Sequence, residues 1–73
     1  MAGPVMKGVY SSHVDRIGYD AEAQDLHVTW QGGRTSIYSG VPPEKADSVM
    51  NAWSVGQALH EEVKPHHSHR YVE

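Results

Sequence analysis

Residues 25–39 read DLHVTWQGGRTSIYS. Leu26, Val28 and Trp30 alternate with His27 and Thr29, the two-residue period of a strand with one buried face. Gln31-Gly32-Gly33-Arg34 follows. A glycine pair between two such runs marks a tight hairpin, because glycine accepts positive φ without strain. Thr35 to Ser39 then pairs back, with Ile37 on one face and Ser36 and Tyr38 on the other. Ile37, the aliphatic residue of this strand, is expected on the buried side and Tyr38 on the open side.

Upstream, residues 11–20 read SSHVDRIGYD. Val14 and Ile17 are three apart, a spacing that puts them on opposite faces of a regular strand. A bulge near Asp15 or Arg16 brings them to one face. The polar run from Tyr19 to Gln24 contains Asp20, a good turn former. Short connections make these three strands antiparallel neighbours.

Downstream, Gly40-Val41-Pro42-Pro43 closes the sheet, since paired prolines cannot continue a ladder. Pro43 suits the first turn of a helix, and Glu44 complements its positive end. Ala46, Val49, Met50 and Trp53 form one helical stripe. Ser54 with Gln57 three residues on has the pattern of a capping box opening a second short helix. Val55, Leu59 and Val63 line that helix, and Pro65 stops it. The expected architecture is α+β: a three-stranded antiparallel sheet followed by two short C-terminal helices packed on one face. The expected core is Val14, Ile17, Leu26, Val28, Trp30, Ile37, Val49, Met50, Trp53, Leu59 and Val63. Residues 1–9 read as a flexible lead-in, 10–64 as the domain, and 65–73 as a C-terminal tail.

The order of these residues resembles the KTSC family, small domains found at the C-terminus of some lysyl-tRNA synthetases and as stand-alone bacterial and phage proteins. Ser11-Ser12 followed by Ile17-Gly18-Tyr19-Asp20 is similar to the family's opening block. Tyr38-Ser39-Gly40-Val41-Pro42 resembles its Y-x-Y-x-x-V-P centre. Ser54-Val55-Gly56 with Leu59 and Val63 resembles its ending. Ser36 stands where the family places the first tyrosine of the centre, and Leu59-His60 replaces an aromatic and an asparagine. The resemblance implies the fold, and through the synthetase context it implies a role in RNA binding.

At 73 residues the chain makes one domain. It has no cysteine, which excludes disulfides, cysteine-ligated zinc and a thiol nucleophile, and fits a reducing compartment such as the cytoplasm. No apolar run follows residues 1–9 and none approaches the roughly 20 residues of a membrane span, so neither a signal peptide nor a membrane helix is expected. Phenylalanine is absent, so two tryptophans and four tyrosines supply all the aromatic rings. Six Lys and Arg against nine Asp and Glu give a net charge of −3, and protonating all six histidines would carry it to +3.

Tyr38 on an open sheet face, with Tyr19 and Tyr10 beside it and Arg34 and Arg16 at the edges, is the expected binding site. Aromatics and cations so placed stack the bases of single strands, and the same composition serves protein interfaces. The opposing reading is that Tyr38 covers core and keeps its hydroxyl in water. Ser11, Ser12, His13 and Asp15 are the residue types of a hydrolytic triad, but successive strand residues diverge, so hydrolysis is the remote alternative and no catalytic residue is expected. His66, His67 and His69, with His60 upstream, are metal-binding types, yet a tail after proline lacks the rigid frame of a four-ligand site, and no metal or cofactor is expected. The net negative charge repels polyanions and no basic cluster is visible along the chain. The sequence therefore favours a non-catalytic accessory or adaptor protein acting through protein–protein contact. RNA or single-stranded nucleic-acid binding on the open face is the alternative, and an edge strand offers a route to self-association.

Overall fold

The computed structural model describes residues 4–9 and 11–72. Strands β1 (Lys7–Gly8), β2 (Val14–Asp20), β3 (Asp25–Trp30) and β4 (Thr35–Tyr38) come first. Helix α1 (Pro43–Met50) and helix α2 (Val55–Ala58) follow, and α2 runs on in helical backbone into a π-helical turn, Leu59–Val63. Strand β5 (His69–Val72) ends the chain. The five strands lie in the order β1-β2-β3-β4-β5, every neighbouring pair antiparallel.

The α+β architecture is as expected, but the sheet has five strands where three were expected. The additional two come from the segments read as lead-in and tail. β1 adds to β2 through Lys7 opposite Ile17 and Gly8 opposite Arg16. β5 adds to β4 because the chain beyond Pro65 is tied back at its start. The Ser39 amide donates to the Ser68 carbonyl at 3.0 Å, the His67 ring meets the Ser39 carbonyl, and the Arg70 guanidinium reaches the Asp25 carboxylate at 3.3 Å.

The bulge is present: the β2–β3 register shifts between Val14 and Arg16. Asp15 is the extra residue, so Val14 pairs with Trp30 and Ile17 with Val28, and both aliphatic side chains are fully buried. The Asp20 carboxylate accepts the amides of Glu22 and Ala23, which forms the first turn. In the second, Gly33 sits at φ +97° and its amide donates to the Trp30 carbonyl at 2.8 Å.

Pro43 occupies the first turn of α1, and Ala46 and Val49 face the sheet. The helix stops at Met50 because the Asn51 side-chain amide donates to the Asp47 carbonyl and carboxylate. Trp53 thus falls in the α1–α2 turn and is fully exposed, against its expected place in the core. Ser54 caps α2 by accepting the Gln57 amide. The Gln57 side chain turns to Glu61 at 3.0 Å instead of closing the capping box.

The hairpin register settles which face of β4 is buried. Tyr38 lies opposite Leu26 and Ser36 opposite Val28, so both face the helices, while Ile37 lies opposite His27 on the other face. Tyr38 is 2 % exposed and belongs to the core with Val14, Ile17, Leu26, Val28, Val41, Ala46, Val49, Val55, Leu59 and Val63. Trp30 and Met50 pack half-buried at its margin. The expectation that Ile37 faces the helices and Tyr38 the open side is inverted. A strand of four residues with one aliphatic and one aromatic neighbour carries no periodicity that would choose between them. Nor is the other face bare. A Cβ on Gly18 would lie 2.6 Å from the Met6 sulfur and 2.8 Å from the Val5 carbonyl, so the N-terminal segment crosses the sheet there.

Truncating Tyr38 to alanine removes a core ring and is expected to cost about 3–5 kcal/mol in urea denaturation, whereas Trp53→Ala changes stability by less than about 0.5 kcal/mol. Equal effects from the two would contradict this packing. Burial raises the Tyr38 hydroxyl above its ordinary value, with Tyr71 adding to it. Tyr19 is raised by burial and then by the carboxylates of Glu44, Asp20 and Asp25. In each case the folded chain holds its proton where the unfolded chain, with tyrosine near pH 10, releases it. Stability is therefore unaffected by these groups below about pH 10 and falls as pH rises beyond it. Urea midpoints measured from pH 8 to 11.5 should decline less steeply in Tyr38→Phe and Tyr19→Phe than in the parent chain. Parallel slopes would refute the assignment.

Candidate functional site

The residues facing the helices at the β3–β4–β5 end of the sheet do not all pack into the core. Beyond Tyr38 the sheet diverges from α2 and its π-helical turn, leaving an open groove of about 1090 Å³. One wall is Trp30, Gly32 and Arg34 at the β3–β4 hairpin with His69 and Tyr71 on β5. The other is Ser54, Gly56, Gln57, His60 and Lys64, and Ser12 and His13 close one end.

Four of the rings in the groove, Trp30, Tyr38, His69 and Tyr71, are held by neighbours. The Trp30 indole N–H donates to the Ser36 hydroxyl at 2.8 Å, which explains a buried serine in the middle of the sheet. The β5 register sets Tyr71 beside Ser36 and His69 beside Tyr38. His69 stacks tilted on Tyr38 with centroids 5.3 Å apart and meets Tyr71 edge-on at 5.1 Å. The two cations lie over ring faces: Lys64 Nζ is 5.1 Å from the Trp30 centroid and Arg34 Cζ 4.9 Å from that of Tyr71.

The charge of the groove is opposite to that of the chain. Arg34 and Lys64 line it with three histidines, and no acidic side chain lines it among the described residues. Among the described residues the acidic side chains sit elsewhere, at the β2 bulge, on the β2–β3 turn, on α1 and on the π-helical turn, where Glu61 accepts from Gln57. A chain of net charge −3 thus carries a local basic, aromatic surface. The π-helical turn contributes to it, because it delivers both His60 and Lys64 to the same wall; such turns recur at functional sites.

Of the residues expected to bind, Arg34 and Tyr38 line this groove, on the helix side and not on the open face. Tyr38 is the floor, too buried to offer a free ring face. Tyr19 lies on the helix side as well, where its hydroxyl donates to the Val41 carbonyl at 2.6 Å and ties β2 to the segment before α1. Arg16 stays on the outer face in an exposed ion pair with Asp15 at 3.3 Å. Tyr10 lies outside the described residues. The expected open-face cluster is therefore not assembled. The groove also takes in Trp30, Lys64, His69 and Tyr71, which along the sequence read as core, scattered charge and tail. Two of the four, His69 and Tyr71, reach the groove because residues 69–72 form a strand.

Of the Ser–His–Asp set, Ser12 and His13 come to the same end of the groove, against their expected divergence, while Asp15 pairs with Arg16 at 3.3 Å. The Ser11 hydroxyl accepts the amides of His13 and Val14 at 3.2 Å each, as expected for a residue opening a strand. His67 is engaged by the Ser39 carbonyl and Lys45 while His69 turns into the groove, and no group of three metal-ligating side chains is gathered among the described residues. No helix among them is long and apolar enough to cross a membrane.

Comparison with known proteins places this architecture. A protein of Tsukamurella paurometabola is 40 % identical over 60 residues, covering 82 % of this chain and 90 % of that one. An uncharacterised protein of Stutzerimonas stutzeri is 38 % identical over 61 residues, covering 84 % of each. The crystal structure of a KTSC domain protein from Yersinia pestis superimposes with a TM-score of 0.87 at 28 % identity, over 94 % of this chain and 97 % of that one. The KTSC domain model matches residues 10–67, and on this match, with the shared fold, the chain belongs to the KTSC domain family.

Proposed function

We propose that the domain is a non-catalytic binding module that takes single-stranded nucleic acid, RNA in the first instance, in the groove between β3–β5 and the π-helical turn. The observation that carries this reading is the composition of the groove. Ring faces for stacking and cations for phosphates stand together with no carboxylate lining the same surface among the described residues. Stacking platforms inside a positive channel are what sequence-tolerant single-strand binding uses. The net charge of −3, which favours an adaptor when taken over the whole chain, loses its force once the charges are segregated. The family's occurrence on some lysyl-tRNA synthetases supports the same ligand class.

An adaptor working through the open face has less support. By register that face carries Arg16, His27, Thr29, Thr35, Ile37, Arg70 and Val72, and no tyrosine or tryptophan among the described residues. Proteins with acidic segments remain the competing occupants of the groove, supplying charge without ring faces.

Trp30 reports directly on the groove, provided that the exposed Trp53 is silenced by Trp53→Phe. In that background hexauridylate is expected to quench Trp30 emission at pH 7 and low salt. With two cations engaging two phosphates, affinity should fall by roughly 25-fold for each tenfold rise in salt, from a slope of about −0.7 per phosphate. Arg34→Ala with Lys64→Ala should abolish the response, and hexaglutamate should bind more weakly than hexauridylate. No quenching at low salt would dismiss the nucleic-acid reading, and equal binding of hexaglutamate would return the groove to an acidic protein partner.

A further inference from the structure

We infer that the groove is divided into two nucleotide subsites, each a fixed aromatic ring whose face is occupied in the free protein by a mobile cation that moves to phosphate when a base arrives. This rests on the nucleic-acid reading above and specifies its ligand.

The rings are fixed by separate means. Trp30 is half-buried and its indole edge is pinned by the Ser36 hydroxyl, 2.8 Å away. Tyr71 is set by the β4–β5 ladder opposite Ser36 and braced edge-on by His69. The cations are not fixed in this way. Lys64 and Arg34 are exposed side chains at 5.1 and 4.9 Å from the two ring centroids, and neither forms an ion pair with a carboxylate among the described residues. A cation over an exposed ring is weakly held. A stacked base competes well for the same face, and the displaced ammonium or guanidinium gains a phosphate as its charge-assisted partner. Each ring therefore comes with its own phosphate ligand already beside it.

The two ring–cation pairs set the number of bases. Trp30 belongs to β3 and Tyr71 to β5, with β4 between them, and the register sets Tyr71 level with Val28, so their backbones lie two strand intervals apart across the sheet, about 10 Å, and two residues apart along it, about 7 Å. Rings set on two different strands offer two separate faces and suit splayed nucleotides of one strand. On the helix side of the middle segment Ser36 stands level with Tyr71, small and buried, and Arg34 stands level with Trp30. Tyr38 lies deeper and offers no free face. The unit recognised is two bases on a short single strand.

Calorimetric titration of the full chain with uridine monophosphate, diuridylate, triuridylate and hexauridylate tests this. The affinity should rise at least tenfold between the monophosphate and the di- or trinucleotide, then change less than about threefold up to the hexamer, at one ligand per chain. Tyr71→Ala, checked for folding by circular dichroism, should lower triuridylate affinity to that of the monophosphate, and Tyr71→Phe should preserve it. A monophosphate that binds as tightly as triuridylate, or an affinity that climbs with every added nucleotide, overturns the two-subsite inference while leaving the nucleic-acid reading in place. An absence of heat with all four ligands at low salt, together with unquenched Trp30, overturns both.

Discussion

The register of the β3–β4 hairpin is the constraint on which the rest depends. Gly33, at a φ that other residues resist, sets the turn so that Leu26 meets Tyr38 and Val28 meets Ser36. A slip of one residue would send Ile37 inward and expel both polar-tipped neighbours, because side chains alternate strictly across a strand. With the register as it is, Tyr38 completes the core and Ser36 becomes the anchor of the Trp30 indole. β5 then inherits the same phase through its pairing with β4, which delivers His69 and Tyr71 to the groove and Arg70 to the opposite side.

Much of this was legible in the residues. The bulge followed from two aliphatics three apart, the hairpin from Gly32-Gly33, the first helix from Pro43 and the second from Ser54 and Gln57. What was hidden has a common physical origin. β1 and β5 are edge strands, paired on one side only and largely exposed on both faces, so they carry no hydrophobic alternation to read. Trp53 continued the apolar stripe of α1 in number but not in structure, because the Asn51 amide closes the helix first. The family's three blocks fix the order of elements and are silent on which face Tyr38 takes.

The groove was harder to see because nothing along the chain gathers it. Its residues run from Ser12 to Tyr71, drawn from both sides of the helical segment. A net charge summed over a sequence treats the molecule as a point, whereas here none of the described carboxylates lines the surface that holds the groove cations. The same arrangement explains why Arg34 and Lys64 rest on aromatic rings instead of on acidic partners: among the described residues, none lines their surface.

β5 contributes two side chains to the groove and none to the buried core. Peeling it from β4 would open one wall while the aliphatic interior stayed intact, so this strand is a separable thermodynamic unit whose local opening costs less than global unfolding. Any ligand that touches both Trp30 and Tyr71 spans the boundary between the stable body and this loosely held margin. Occupancy is thereby linked to the ordering of the last strand, and the molecule's C-terminal end acts as a clasp whose closed state is favoured by whatever it holds.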